Sequence, residues 1–333
     1  MYISLDQEKR LVKFNKNRWF EEESNIASSL GLRFKDNSFI AKLDSTSNVA
    51  LYSFMKYCFG RFLRNDEYKE DRERLFNDIR VCYDNINRSG YDKMRNLKFY
   101  NSLYKHQKEA INYMIRNKHN LLAFEQGLGK TVTAISVSKL ISMDVDETTS
   151  GLLRTLIVCP AICKWNWHNE LIMWGVDKNE ISVYDSKEKN LIISKTDRYT
   201  IINYDMLKKY NYKLTSKNFC HIILDEAHYI KNCKSKRYGY VNKIVKSCNS
   251  KISFLTGTPI WNRPEDIFAY LKLSKHPLGR NYKDFIYRHT HNYKNQWGGV
   301  TIIKGRYLFE LSAKISNFMI RKLKSDCLDL PDK

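Results

Sequence analysis

The chain has 333 residues, enough for two or three compact units with buried cores. Its 57 basic and 36 acidic side chains leave a net charge of +21, which points to an anionic partner. No apolar run approaches membrane-spanning length, and Met1–Asp6 lacks the layout of a signal peptide. The eight cysteines include no C-x-x-C pair, so buried free thiols are expected in place of a zinc site or a disulfide scaffold. An intracellular, reduced setting follows: cytoplasm or nucleoid in a bacterium or phage, nucleus in a eukaryote. Residues 1–100 carry 19 basic and 15 acidic side chains, whereas residues 201–300 carry 18 and 6, so the excess lies in the later part.

Residues 1–97 are expected to form a small α+β accessory module, possessing DNA-binding capacity or standing as an appendage without it. Alternation around Ile3 and Leu5, then Leu11–Phe14 and Ser38–Ala41, predicts short strands. Leu51, Phe54, Met55, Cys58, Phe59 and Phe62 recur at helical spacing within 48–64, and a charged run over 65–80 follows. Ser89 and Gly90 mark a break.

From residue 98 the pattern alternates between strand and helix. Strands are predicted at Leu121–Phe124, Thr155–Cys159, Ile181–Tyr184, Thr200–Asn203, His221–Leu224 and Ile252–Leu255. Helices are predicted at Lys130–Met143, Lys164–Trp174 and Pro264–Leu273. This order implies an α/β fold, a mostly parallel sheet with helices on both faces, over residues 98–333. Ligands of such sheets bind where the strands end.

Three strings fall at those ends. Glu125-Gln126-Gly127-Leu128-Gly129-Lys130-Thr131 has the composition of a phosphate loop, although Phe124 stands where the common pattern has its first glycine. Gly127, Leu128 and Gly129 would bring backbone N–H groups to phosphates, Lys130 would reach the β/γ-phosphates, and Thr131 would offer a hydroxyl to Mg²⁺. Asp225-Glu226-Ala227-His228 supplies Asp225 for Mg²⁺ and Glu226 to orient and deprotonate water. Thr256-Gly257-Thr258 closes the third strand. His228 either links the acids to Thr256 and Thr258 or is a structural histidine. Upstream, Gln107 can read adenine through its amide or simply begin a surface helix. Together the strings describe a nucleoside triphosphatase using ATP and Mg²⁺, with Lys130, Asp225 and Glu226 as its catalytic residues.

In six ordered strings the chain resembles the first motor lobe of the Swi/Snf-type group of superfamily-two helicases. They are the Gln107 segment, Leu122–Thr131, Leu156–Pro160 with Lys164–Trp167, Ile202–Leu207, Leu224–Asn232 and Leu255–Pro264. That group also lacks the first loop glycine. The resemblance implies a RecA-like lobe of an ATP-driven translocase on duplex or branched DNA, as in fork remodelling or branch migration. It implies that Pro160, Lys164, Asn203 and Tyr204 approach a phosphate backbone, while Trp165 and Trp167 either pack or touch DNA. Phe318–Lys324 and Leu330-Pro331 resemble the stretch where the group leaves its first lobe, so a second lobe is expected in cis or from another chain. An RNA-directed helicase and a DNA-binding module with an incomplete motor are the alternatives.

Overall fold

The computed structural model describes residues 2–6, 11–15, 33–35, 38–42, 91–143, 153–184, 197–257, 263–294 and 300–327. The helix expected over 48–64, the charged run and the Ser89-Gly90 break lie outside the described residues, as does Thr258. The chain divides into two compact units, residues 1–92 with 307–318 and residues 93–306 with 319–333.

In the first unit, β1 (Tyr2–Asp6), β2 (Leu11–Asn15), β3 (Arg33–Lys35) and β4 (Ser38–Lys42) make an antiparallel sheet in the order β1-β2-β4-β3. Its register sets Ile3 opposite Phe14 and Phe14 opposite Phe39, so apolar positions fall in rows across the strands.

The second unit is built on β5 (His119–Phe124), β6 (Arg154–Cys159), β7 (Ile181–Val183), β8 (Tyr199–Asn203), β9 (Phe219–Leu224) and β10 (Lys251–Thr256). The hairpin of β11 (Thr290–Lys294) and β12 (Val300–Gly305) stands apart from the main sheet, and β13 (Met319–Lys322) joins it. The order is β13-β5-β10-β9-β6-β8-β7, with every pairing parallel. Residues 120–124, 155–159, 199–203 and 252–256 are buried without interruption. Such runs fit strands covered on both faces and explain why they lack alternation in sequence. The six predicted strands are all present. The seventh, β13, is four residues long and half polar, so it carries no comparable signal.

Helices surround this sheet, among them α1 (Lys105–Arg116), α2 (Lys130–Met143), α3 (Lys164–Met173), α4 (Leu207–Thr215), α5 (Lys236–Ser247) and α6 (Glu265–Leu273). On α3 the buried residues are Lys164, Trp167 and Leu171, spaced as one face of a helix, and Trp165 on the other side is exposed. The sheet also buries His221, whose Nε2 lies 2.8 Å from Ser253 Oγ. Burial, assisted by Lys251, pushes the His221 pKa down to about 3. Of the six described cysteines, all free, only Cys159 is fully buried. The others are half-buried, which corrects the expectation of buried thiols throughout.

Candidate functional site

Register decides what meets at the carboxyl edge of the sheet. Thr256 of β10 lies opposite Ala123 of β5, and Phe254 lies opposite Leu224 of β9. The strings beginning at Glu125, Asp225 and Gly257 therefore emerge side by side.

The loop between β5 and α2 turns on two glycines with positive φ, Gly127 at 85° and Gly129 at 79°. A methyl group on Gly129 would lie 2.2 Å from Gln107 Nε2, so the position also excludes a side chain by contact. From α1, His106 Nε2 (3.0 Å) and Gln107 Nε2 (3.3 Å) both reach Leu128 O. A carbonyl only accepts, so His106 carries its proton on Nε2. Gln107 Oε1 accepts from Tyr104 N at 3.0 Å, which closes the start of α1. The amide thus braces the loop while keeping one N–H and one lone pair for a ligand.

Lys130 opens α2, and its Nζ donates to Phe124 O at 3.2 Å. A methyl group on Gly257 would lie 3.4 Å from the same ammonium, so the third string lies close beside it. Burial lowers the Lys130 pKa, against the opposing pull of Glu226 and Asp225. Thr131 follows in the first turn of α2.

The acids are held from elsewhere. Asp225 N continues the ladder to Val158 O at 2.8 Å. Asp225 Oδ2 accepts from Trp167 Nε1 at 2.8 Å, and Oδ1 from Glu226 N at 2.9 Å. Burial raises the Asp225 pKa, and the Trp167 hydrogen bond opposes that rise. Glu226 sits in the left-handed region at φ 46°, ψ 55°, a strain of about 1–3 kcal/mol for a non-glycine residue. His228 Nδ1 lies 3.1 Å from Glu226 Oε2, and its ring packs on Tyr229. The described contacts of His228 thus tie it to the acid, whereas Thr256 is buried at the end of β10.

The four residues expected against a phosphate backbone lie inside. Pro160 is buried, Asn203 is 7 % exposed, and Tyr204 is 2 % exposed with its hydroxyl donating to Asp225 O at 2.8 Å. Lys164 is 6 % exposed, and its Nζ donates to Tyr184 O at 2.9 Å. Edge strand β7 ends at Val183, and Lys164 turns inward to the carbonyl of the next residue. Of the two tryptophans, Trp167 packs and orients Asp225, and Trp165 is 56 % exposed. Sequence reasoning overlooked His106 and the Trp167 hydrogen bond. The one available signal was Trp167 falling on the Lys164–Leu171 face of α3.

Such an arrangement can hold a polyphosphate. The glycines bare the loop's backbone, Lys130 lies at its base, and both Asp225 oxygens keep acceptor capacity beside the more exposed Glu226 carboxylate. The residues fit ATP with Mg²⁺.

The SNF2-related domain matches residues 106–333. A *Caenorhabditis elegans* protein, the SWI/SNF-related matrix-associated actin-dependent regulator of chromatin subfamily A-like protein 1 homolog, is 29 % identical over 251 residues, covering 69 % of this chain and 33 % of its own. The human DNA annealing helicase and endonuclease ZRANB3 is 30 % identical, with 68 % and 21 % covered. This chain therefore spans a third or less of these relatives. Two *Sulfolobus solfataricus* structures superpose with a TM-score of 0.53. The SWI2/SNF2 ATPase core in complex with dsDNA is 23 % identical, covering 68 % of this chain and 47 % of that one. The SWI2/SNF2 ATPase core domain is 25 % identical, covering 69 % and 45 %. The match over residues 106–333, on a RecA-like parallel sheet, places this chain in the SNF2-related domain family.

Proposed function

We propose that this chain binds ATP with Mg²⁺ and is part of a motor that moves along duplex or branched DNA. The observation that carries the reading is the convergence of the glycine loop, Lys130, Asp225 and Glu226 on one edge of the sheet. Loop N–H groups and Lys130 neutralise the phosphates, Thr131 and Asp225 hold the metal, and Gln107 turns its remaining amide groups to the base. Bound Mg²⁺ screens the phosphate charge during transfer. Glu226 orients the attacking water and accepts its proton. His228, touching Glu226, and Thr256 with Gly257, which lies beside Lys130, report the state of the phosphates to the rest of the lobe.

DNA binding has separate support. The relatives include a DNA annealing helicase, and one structural neighbour is a complex with dsDNA. The basic excess of residues 201–300 surfaces on two packed helices, α4 with exposed Lys208, Lys209 and Lys213, and α5 with exposed Lys236, Lys243 and Lys246. These lysines, rather than the inward Lys164, supply the phosphate contacts. Behind them, Tyr204 and Trp167 connect the segments 203–207 and 164–173 to Asp225, so pressure on the DNA side reaches the acids through two hydrogen bonds.

The test is nucleotide binding by the 333-residue chain, followed by phosphate release with and without duplex and forked DNA. Mg²⁺-dependent ATP binding and DNA affinity that falls steeply with salt are expected. Absence of nucleotide binding, or salt-independent DNA affinity, would refute the corresponding half of the reading.

A further inference from the structure

The segment after β13 runs against the phosphate loop. Lys322 lies opposite Phe124 in the parallel register, and Glu125 N donates to Lys322 O at 3.2 Å. Lys324 N donates to Glu125 Oε2 at 2.8 Å, so the first loop residue is clasped through both its backbone and its side chain. Lys322 Nζ is anchored on Glu109 of α1 at 2.7 Å. The Lys324 side chain then folds over the loop. A methyl group on Gly127 would lie 3.6 Å from Lys324 Cε and 3.8 Å from Nζ. Lys322 is paired, but the Lys324 ammonium has no hydrogen-bond or ion-pair partner among the described residues.

An ammonium held over a bare glycine turn, with no carboxylate partner among the described residues, is placed to meet an anion in that turn. We propose that Lys324 is a second phosphate-binding lysine of the nucleotide site, reaching the polyphosphate across Gly127 while Lys130 reaches it from the start of α2. This rests on the loop being the nucleotide site, as argued above. Lys324 acts as a mobile point charge, and its backbone N–H, fixed on Glu125, positions its stem. Because the contact depends on charge, it favours ATP over ADP. It also makes the segment 322–324 sensitive to whether the loop is filled, since the anion draws the side chain onto Gly127.

The test compares Mg·ATP and Mg·ADP affinities of the 333-residue chain, by calorimetry at two salt concentrations, for wild type, Lys324→Gln, Lys324→Arg and Lys130→Ala. All of the Lys324 substitutions keep the backbone bond to Glu125. Lys324→Gln should weaken ATP about 5- to 20-fold and ADP less, with Lys324→Arg restoring most of the loss. Thermal unfolding without nucleotide should not move, which separates a ligand contact from support of the fold. Wild-type ATP affinity in Lys324→Gln, while Lys130→Ala is impaired, would overturn the Lys324 proposal alone. An equal loss for ATP and ADP accompanied by a lowered melting temperature would overturn it too, by making the role structural. If the wild-type chain binds neither nucleotide, the reading of the site falls and this proposal falls with it.

Discussion

Along one edge of the sheet, the loop 125–131 takes its shape from its own glycines, whereas the carboxylate of Asp225 takes its orientation from Trp167, 58 positions earlier in the chain. The loop needs two left-handed residues and one close approach to α1, and a short string of glycines meets those needs locally. The acids need a donor for Oδ2 and an anchor for the Asp225 carbonyl. Trp167 brings the first from helix α3 and Tyr204 the second from the end of β8. The local half is readable as a motif and intolerant of added bulk. The distributed half shows only its acids in the motif, and its supporting groups look like packing or DNA contacts until the chain is folded. The comparison teaches that the segments expected to touch DNA are also those that orient the acids.

The largest effect should come from Glu226→Gln, which keeps size and removes the base. DNA-stimulated phosphate release should fall ~10²–10⁴-fold with nucleotide affinity retained, because an amide cannot take the water's proton. Turnover equal to wild type would break the assignment of chemistry to the acid side. Gly129→Ala strikes the other half. With φ at 79° and Gln107 Nε2 2.2 Å from the new methyl, it should lose nucleotide binding and about 2–4 kcal/mol of stability together. Nucleotide titration and urea unfolding measure both, and loss of one without the other would show the loop to be less self-contained than its geometry indicates.

Trp167→Phe sharpens the contrast, since it preserves packing and deletes only the hydrogen bond to Asp225. A loss of ~1.5–3 kcal/mol in Mg²⁺-dependent ATP affinity is expected, with a further rise of the Asp225 pKa. Metal-independent loss of affinity would point to disturbance of the loop instead.

The smallest effect belongs to the sheet that supports both halves. His221 is neutral in the fold, with its pKa at about 3 against 6.5 for an exposed histidine. The unfolded chain binds the extra proton between those values, so the stabilising contribution is complete above pH 6.5 and declines as pH falls through that window. The limiting slope for this group is ~1.4 kcal/mol per pH unit. Urea midpoints from pH 7.5 to 5 should show a decline that His221→Gln makes shallower. Unchanged pH dependence in that variant would exclude His221 as its source.

Sequence by itself determined the parallel sheet and the three strings at its edge, because continuous apolar runs ending in glycines or acids have few other uses. It also carried the basic excess of residues 201–300, a composition that survives any packing. Only the tertiary structure decided that Lys164 turns inward to Tyr184, that Trp167 and Tyr204 hold Asp225, and that β13 lies beside the phosphate loop with Lys324 over Gly127. The physical reason is range. A turn's backbone angles are set by the residues within it, whereas a buried hydrogen-bonding group is satisfied by whichever partner the sheet order brings near, however far away in the chain.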